Sequence, residues 1–371
     1  MISDSLAEYR DPVLAKKLRS EIEKLAGELD EPVMIMHVCG THEWTITHFG
    51  IRTLLPENVE VRAGPGCPVC VTPAADIDAI VDLAQRGVSI LSYGDMSRAR
   101  GTTLSLSDAK AVGADVQVVY SVHDAVEWAR RAPHKQFVFF AVGFETTAPP
   151  TAYEIISKPP ENLSFLVSYR YVPPAVGALA RSPELEVDGF MNAGHASTIS
   201  GMRAYKPYFD ETKKPMVFSG FEPIDVLISI AMLLKQLKNK EPKMENEYSR
   251  AVTWEGNVKA QEVMDRVFMM GDGYWRGVAT LPGTGFRLRE EFCVYDARKK
   301  YDIAETPGNE QFIPKARCAE VIMGKIDPPE CPLYMNECTP ESPKGPTMVS
   351  IEGTCKIWAE HKILASMKCR V

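Results

Sequence analysis

Apolar residues near the start of the chain fall at three- and four-residue intervals. Val13, Leu14, Leu18, Ile22, Leu25 and Leu29 are separated by charges, which predicts an amphipathic helix over 11–29. The run PVMIMHV at 32–38 is short and almost wholly apolar, the pattern of a buried parallel strand. From there the two patterns alternate. After VEVRAG a helix is expected over about 73–86; VSILSY (88–93) then predicts a strand, SDAKAVGA a helix, DVQVVYS (115–121) a strand and HDAVEWARRA a helix. Four more strands are expected at QFVFFAVGF (136–144), LSFLVSY (163–169), VDGFMNAG (187–194) and PMVFSGF (215–221), with helices around 148–158, 173–181 and 223–238. Strands separated by helices imply parallel sheets covered on both faces.

The expected fold class is therefore α/β, with two parallel-sheet domains, 1–133 and 134–240, and a C-terminal region over 241–371. A helix of about 20 residues is expected from Tyr248 to about Met270. Beyond it the periodicity fails, and 271–355 is rich in Gly and Pro with few runs long enough for regular elements. That region still carries apolar residues and spaced cysteines, so something other than a large core should hold it together.

Bulk composition narrows the classes. A chain of 371 residues is too long for one ordinary core. A net charge of −7 argues against a nucleic-acid groove, which needs a basic stripe. No apolar run approaches membrane-spanning length, and the first twenty residues hold no apolar signal core, so a cytoplasmic protein is expected, with no membrane or nucleic-acid partner. Nine cysteines in a reducing compartment stay thiols unless a metal or a redox cycle claims them, and their odd number argues against a disulfide framework.

The cysteines fall into groups. Cys318, Cys331, Cys338 and Cys355 give the spacing C-x12-C-x6-C-x16-C in a loop-rich region with little core. Four thiolates there suggest a metal staple. Structural zinc favours tight knuckles, and the wide spacing, with Pro beside two of the cysteines, suits a cubane iron–sulfur cluster at least as well. Four isolated buried thiols are the plain alternative.

In the N-terminal half, Cys39 in HVCGTHEWT directly follows a predicted strand, and Thr41 is the expected cap of the next helix. In GPGCPVCVTP, Thr72 is the expected cap, Pro73 the first helical residue, and Cys67 and Cys70 lie just before it. Carboxyl ends of parallel strands are where ligands bind, and a thiol at a helix N-terminus is expected to favour its thiolate. A metal half-site, a redox dithiol and two plain thiols all remain open for Cys67 and Cys70.

Further polar residues are expected at the same strand ends: Glu145, Thr146 and Thr147; Asn192 and His195; the GDMSRARG turn (94–101); and Glu222 and Asp225. Singly, each is more often a helix cap or solvated turn; together they are expected to ring the strand ends where Cys39, Cys67 and Cys70 lie. His42 could be a proton donor, a ligand or a hydrogen-bonded turn residue. Cys293 and Cys369 fit neither group and are read as plain thiols. There is no phosphate-binding G-x-x-x-x-G-K-[ST] loop, no GxGxxG after a strand and no C-x3-C-x2-C run.

Taken together, CGTHE, GPGCPVC, GFETTAP, NAGHAS, GFEPID and the four later cysteines, ending in EGTC, resemble the HypD family of [NiFe]-hydrogenase maturation proteins. The resemblance runs from about residue 11 to the C-terminus. NAGHAS and PTMVSIEGTC are slightly varied forms, and no motif cysteine is missing. It implies two α/β domains facing a cleft and an irregular, mostly helical and loop C-terminal iron–sulfur domain. It also implies a redox-active assembly scaffold, not a conventional turnover enzyme. With a small HypC-type chaperone, such a scaffold builds the Fe(CN)2CO unit of the hydrogenase active site, receiving cyanide from HypE with HypF upstream and serving the hydrogenase large subunit indirectly. By the same resemblance Cys39 is the ligand to that transient iron, and Cys67 and Cys70 are a dithiol/disulfide pair. Cys318, Cys331, Cys338 and Cys355 hold a [4Fe–4S] cluster, and His42 and Glu43 sit beside the iron in proton handling. The readings that compete with it are a thiol–disulfide oxidoreductase with a structural C-terminal zinc and a purely structural or interaction protein with one metal-stapled domain.

Overall fold

The computed structural model describes residues 7–304 and 313–361. Cys369 lies outside the described residues. Two parallel sheets form the body of the molecule. The first has the strand order Val59–Ala63, Val33–His37, Gly189–Ala193, Met216–Ser219 and Met244–Asn246. The second runs Val116–Val118, Ser89–Ser92, Phe137–Gly143 and Leu163–Tyr169. The strands lie where the apolar runs predict them, except Met244–Asn246, which forms in a charged segment that carries no apolar run.

The pairing cuts across the division at 133/134. The first sheet draws strands from 33–63 and again from 189–246, and the second sheet occupies the intervening 89–169. Alternation of strand and helix is blind to this. It specifies parallel pairing but says nothing about which strand is the neighbour.

Side-chain alternation along each strand explains how the sheets are covered. Ile35, Met191 and Val217 face a core shared with helices Pro12–Gly27 and Pro223–Asn239, through Ile22, Leu25, Ile230 and Leu233. Met36, Val38, Phe190 and Phe218 face the other way, into one continuous core with Val138, Phe140 and Val142 of the second sheet. One face of each sheet therefore packs into a common core.

The C-terminal region departs from the expectation of irregular structure. The helix expected over 248–270 is shorter, Val258–Val267, and Phe268 begins a strand. Phe268–Trp275 and Ala279–Leu288 form an antiparallel hairpin. Its Phe268, Phe286 and Leu288 enter the core of the second sheet beside Phe165 and Tyr169. Residues 313–361 have a small core of their own, in which Val321, Ile326, Leu333 and Met348 surround Cys331, Cys338 and Cys355. Among the described residues no helix is long and apolar enough to cross a membrane.

Candidate functional site

Cys39 sits at the end of strand Val33–His37 and is itself the residue that caps helix Gly40–His48, in place of Thr41. The chain can turn so tightly because Gly40 lies against the turn around Glu352; a Cβ on Gly40 would come within 2.4 Å of the Glu352 Cβ. Gly66 makes a second close approach, where an added Cβ would meet the Cys39 nitrogen at 2.1 Å. The GPGC loop is thereby pressed against Cys39.

Cys67 caps a short helical turn, Pro68–Val71, with Pro68 in its first position, and Pro73 caps the longer helix Ala74–Gln85. Thr72 instead donates its hydroxyl to the Pro68 carbonyl at 2.8 Å. Cys67 and Cys70 are joined as a disulfide, and both are buried.

The helix N-terminus does act on Cys39, since the backbone of His42 and Thr41 favours its thiolate, although the sulfur makes no capping hydrogen bond. Burial is stronger. With Glu352 as the next contributor, it pushes the Cys39 thiol up to about 12. In the protein alone Cys39 is a thiol, contrary to the expectation of a ready thiolate. His195 Nδ1 lies 3.9 Å from its sulfur. Burial lowers the His195 pKa, while the carboxyls of Glu352 and Glu145 oppose that shift.

Glu145 is fully buried and lifted to about 7 by burial, against the pull of its own backbone N–H, that of Val172, and His195. Its Oε2 accepts from Val172 N–H at 3.2 Å, while Oε1 has no partner. Both amide atoms of buried Asn192 are likewise without a partner among the described residues.

His42 is buried and neutral, pushed down to about 3 by burial and then by His37. Its Nε2–H donates to the Gly220 carbonyl at 2.8 Å, leaving Nδ1 as an unpaired lone pair. Glu43 is held differently. Its two oxygens accept from His37 (2.8 Å), Arg52 (2.9 and 2.7 Å), Thr47 (2.7 Å) and the Trp358 indole N–H (2.6 Å). Burial alone would raise it, but Arg52 and then His37 hold it well below the usual carboxylate range. With both oxygens committed, it pins helix Gly40–His48 to helix Thr354–His361.

Of the remaining strand-end residues, Glu222 and Asp225 form a capping box on helix Pro223–Asn239. Asp225 also pairs with Arg250 at 2.5 Å, and Thr147 bonds back to the Phe144 carbonyl. These three follow the plain reading of caps and turns. Glu352, by contrast, adjoins both Cys39 and His195, although the sequence marked it only as the letter before GTC.

Cys318, Cys331, Cys338 and Cys355 line one small cavity. Donors are aimed at the sulfurs: Lys344 N–H to Cys338 at 3.3 Å and the Thr347 hydroxyl to Cys355 at 3.2 Å. Gly345 leaves the space beside Cys318, since a Cβ there would fall 2.3 Å from its sulfur. Burial, and after it the charges of the neighbouring cysteines, raises the Cys318 thiol to about 11 and that of Cys355 further. Thiolates at Cys318 and Cys355 therefore need a compensating positive charge here. Among the described residues no three His, Cys, Asp or Glu groups are arranged to hold a single metal ion. Cys293 is a partly buried free thiol.

This two-part cysteine site on a double parallel-sheet body belongs to a known class: the chain is a member of the HypD family of hydrogenase formation proteins. The matching family model, described as HypD, hydrogenase formation hypA family, spans residues 13–362. The putative hydrogenase expression/formation protein of Methanocaldococcus jannaschii is 45% identical over 356 residues, covering 95% of this chain and 98% of that one. Hydrogenase maturation factor HypD2 of Bradyrhizobium diazoefficiens is 40% identical over 94% of each chain. The HypD maturation factor of Escherichia coli is 38% identical, over 96% of this chain and 97% of its own.

Proposed function

We propose that this chain is an assembly scaffold in hydrogenase maturation. With a HypC-type small chaperone it holds the iron that is built into Fe(CN)2CO, receiving cyanide from HypE. Cys39 is the thiolate ligand to that iron, Cys67 and Cys70 are the redox pair beside it, and Cys318, Cys331, Cys338 and Cys355 hold a [4Fe–4S] cluster. When bound, such a cluster supplies one-electron redox chemistry to its surroundings.

The observation that carries this reading is the continuity of the two cysteine groups. The Pro346 carbonyl lies 3.7 Å from the Cys70 sulfur. Its neighbours on either side are Gly345, against Cys318, and Thr347, bonded to Cys355. On the far side of the disulfide, Gly66 presses on Cys39. A four-thiol cavity, a disulfide and a buried single thiol thus lie in series, which neither a zinc staple nor an isolated CxxC requires. The donors onto Cys338 and Cys355 fit cluster ligation, where N–H and O–H groups stabilise charged sulfur.

The residues around Cys39 suit metal capture. Burial withholds the thiolate until a cation supplies the positive charge, so binding releases a proton. His195 Nδ1, 3.9 Å from the sulfur, is the group placed to receive it, and Glu145 and Glu352 favour the imidazolium that results. Soft thiolate ligation suits an iron carrying strong-field ligands. Asn192 and His42 Nδ1, without partners among the described residues, supply a donor–acceptor pair and a lone pair for a polar cargo.

The test is infrared spectroscopy on anaerobically purified protein with its small partner. Wild type is expected to be brown with about four irons per chain in the cluster, and to show bands of metal-bound cyanide and carbonyl. Cys39→Ala should lose those bands and keep the colour. Bands that persist in Cys39→Ala would remove Cys39 as the ligand. A colourless, zinc-loaded wild type would return the function to a thiol–disulfide oxidoreductase.

A further inference from the structure

Helices Gly40–His48 and Thr354–His361 begin beside Cys39 and Cys355, and at their far ends they meet again. His48 ends the first helix and His361 the second, and their Nδ1 atoms are 3.4 Å apart. The Trp44 indole stacks on His48 at 4.4 Å between ring centres with an interplanar angle of 10°, and meets His361 edge-on at 5.9 Å. Phe49 stands against the His48 ring at 4.8 Å. Nothing in the maturation reading uses this group.

Two imidazoles so placed can share one N–H, or both can turn lone pairs toward one cation. Two nitrogens each about 2.0–2.1 Å from a tetrahedral ion stand about 3.4 Å from one another. That is the separation found here. We propose that His48 and His361 form a two-imidazole site for a divalent cation of the nickel, copper and zinc group. Imidazole suits these ions, whereas magnesium and calcium take oxygen ligands.

The aromatic collar orders both rings before any ion arrives, so little side-chain freedom is lost on binding. His48 is solvent-exposed, which leaves the remaining coordination positions to water. Among the described residues no third His, Cys, Asp or Glu completes the set, so the ion is exchangeable, not structural. Its effect is to clamp the far ends of two helices whose near ends carry the iron-binding thiol and a cysteine of the C-terminal cavity.

Nickel ion alone is the probe, titrated into the full chain with Trp fluorescence and equilibrium dialysis read in parallel. Wild type should show saturable quenching, because Trp44 lies on His48, and one dialysable nickel per chain from this site. Loss of an outer-shell partner already costs about tenfold in metal affinity, so His48→Gln and His361→Gln should each weaken binding at least that much. Both are surface changes whose folding is checked by circular dichroism. Trp44→Phe should remove most of the quenching and keep the dialysis result. Wild-type isotherms in both glutamine variants, or no saturable binding by wild type, would leave only a hydrogen-bonded histidine pair and overturn the proposal.

Discussion

Cys39 and Glu145 illustrate one rule at the scale of single residues: when a charged form is buried, desolvation outweighs helix-end and hydrogen-bond effects unless an opposite charge is present. Glu43 has Arg52 and stays ionised, whereas Glu145 has no such partner and is lifted to about 7. The consequence for stability has a definite sign. Between the ordinary value of 4.5 and about 7, the folded protein keeps a proton on Glu145 that the unfolded chain has released. Stability therefore falls as pH rises through that window. Glu145→Gln removes the dependence, so the variant should gain on wild type between pH 5 and pH 8, by about 3 kcal/mol at most. Denaturant unfolding at the two pH values measures it, and an equal difference at both would disprove the assignment. The seven motif cysteines were legible in the sequence because thiols are few and their spacing stands out. Glu352 was not, since it is near Cys39 in space but far from it in sequence.

At the scale of elements, glycine accounts for both what was hidden and what is fragile. The hairpin Phe268–Trp275/Ala279–Leu288 escaped the sequence reading because its strands carry Gly271, Gly273, Gly283 and Gly285 in place of β-branched residues. The reason for one of them is steric: a Cβ at Gly273 would fall 2.7 Å from Thr284 Oγ1, which accepts from the Trp275 indole. The cap of the CxxC turn was misread for a related cause. Both Pro68 and Pro73 signal a first helical position, and only Thr72–Pro73 has the usual capping residue before it. Gly345 is the most exposed to test. Gly345→Ala places a methyl against the Cys318 sulfur, so that cysteine must move, and iron and sulfide content should drop while the two sheets stay folded by circular dichroism. Full iron content in Gly345→Ala would mean that Cys318 is not held where the cavity needs it.

For the whole molecule, the strand alternation predicted parallel sheets correctly but left strand order open. Order depends on contacts between distant residues, such as Ile35 beside Gly189, for which a single sequence carries no signal. The interleaving makes a clear prediction for truncation. A fragment of residues 1–133 has only two strands of the first sheet and two of the second, and exposes Met36, Val38 and Ile90. It should be unfolded or aggregated, with poorly dispersed amide resonances, and so should 134–240. A cooperatively folded 1–133 would show that the sheets are less interdependent than their pairing indicates.

The same interleaving sets a timetable during synthesis. Strand Val33–His37 must wait for its neighbour Gly189–Ala193, about 150 residues later in the chain. At about 5–20 residues per second this is a delay of roughly 8–30 seconds. The second sheet, contiguous in sequence, can close in the meantime. Cys39 stays uncovered until His195 and Phe221 have emerged, and Glu352, far later in the chain, reaches it only after them. The thiol on which the proposed function rests is thus accessible to solvent and stray metal until segments far downstream of it have been made.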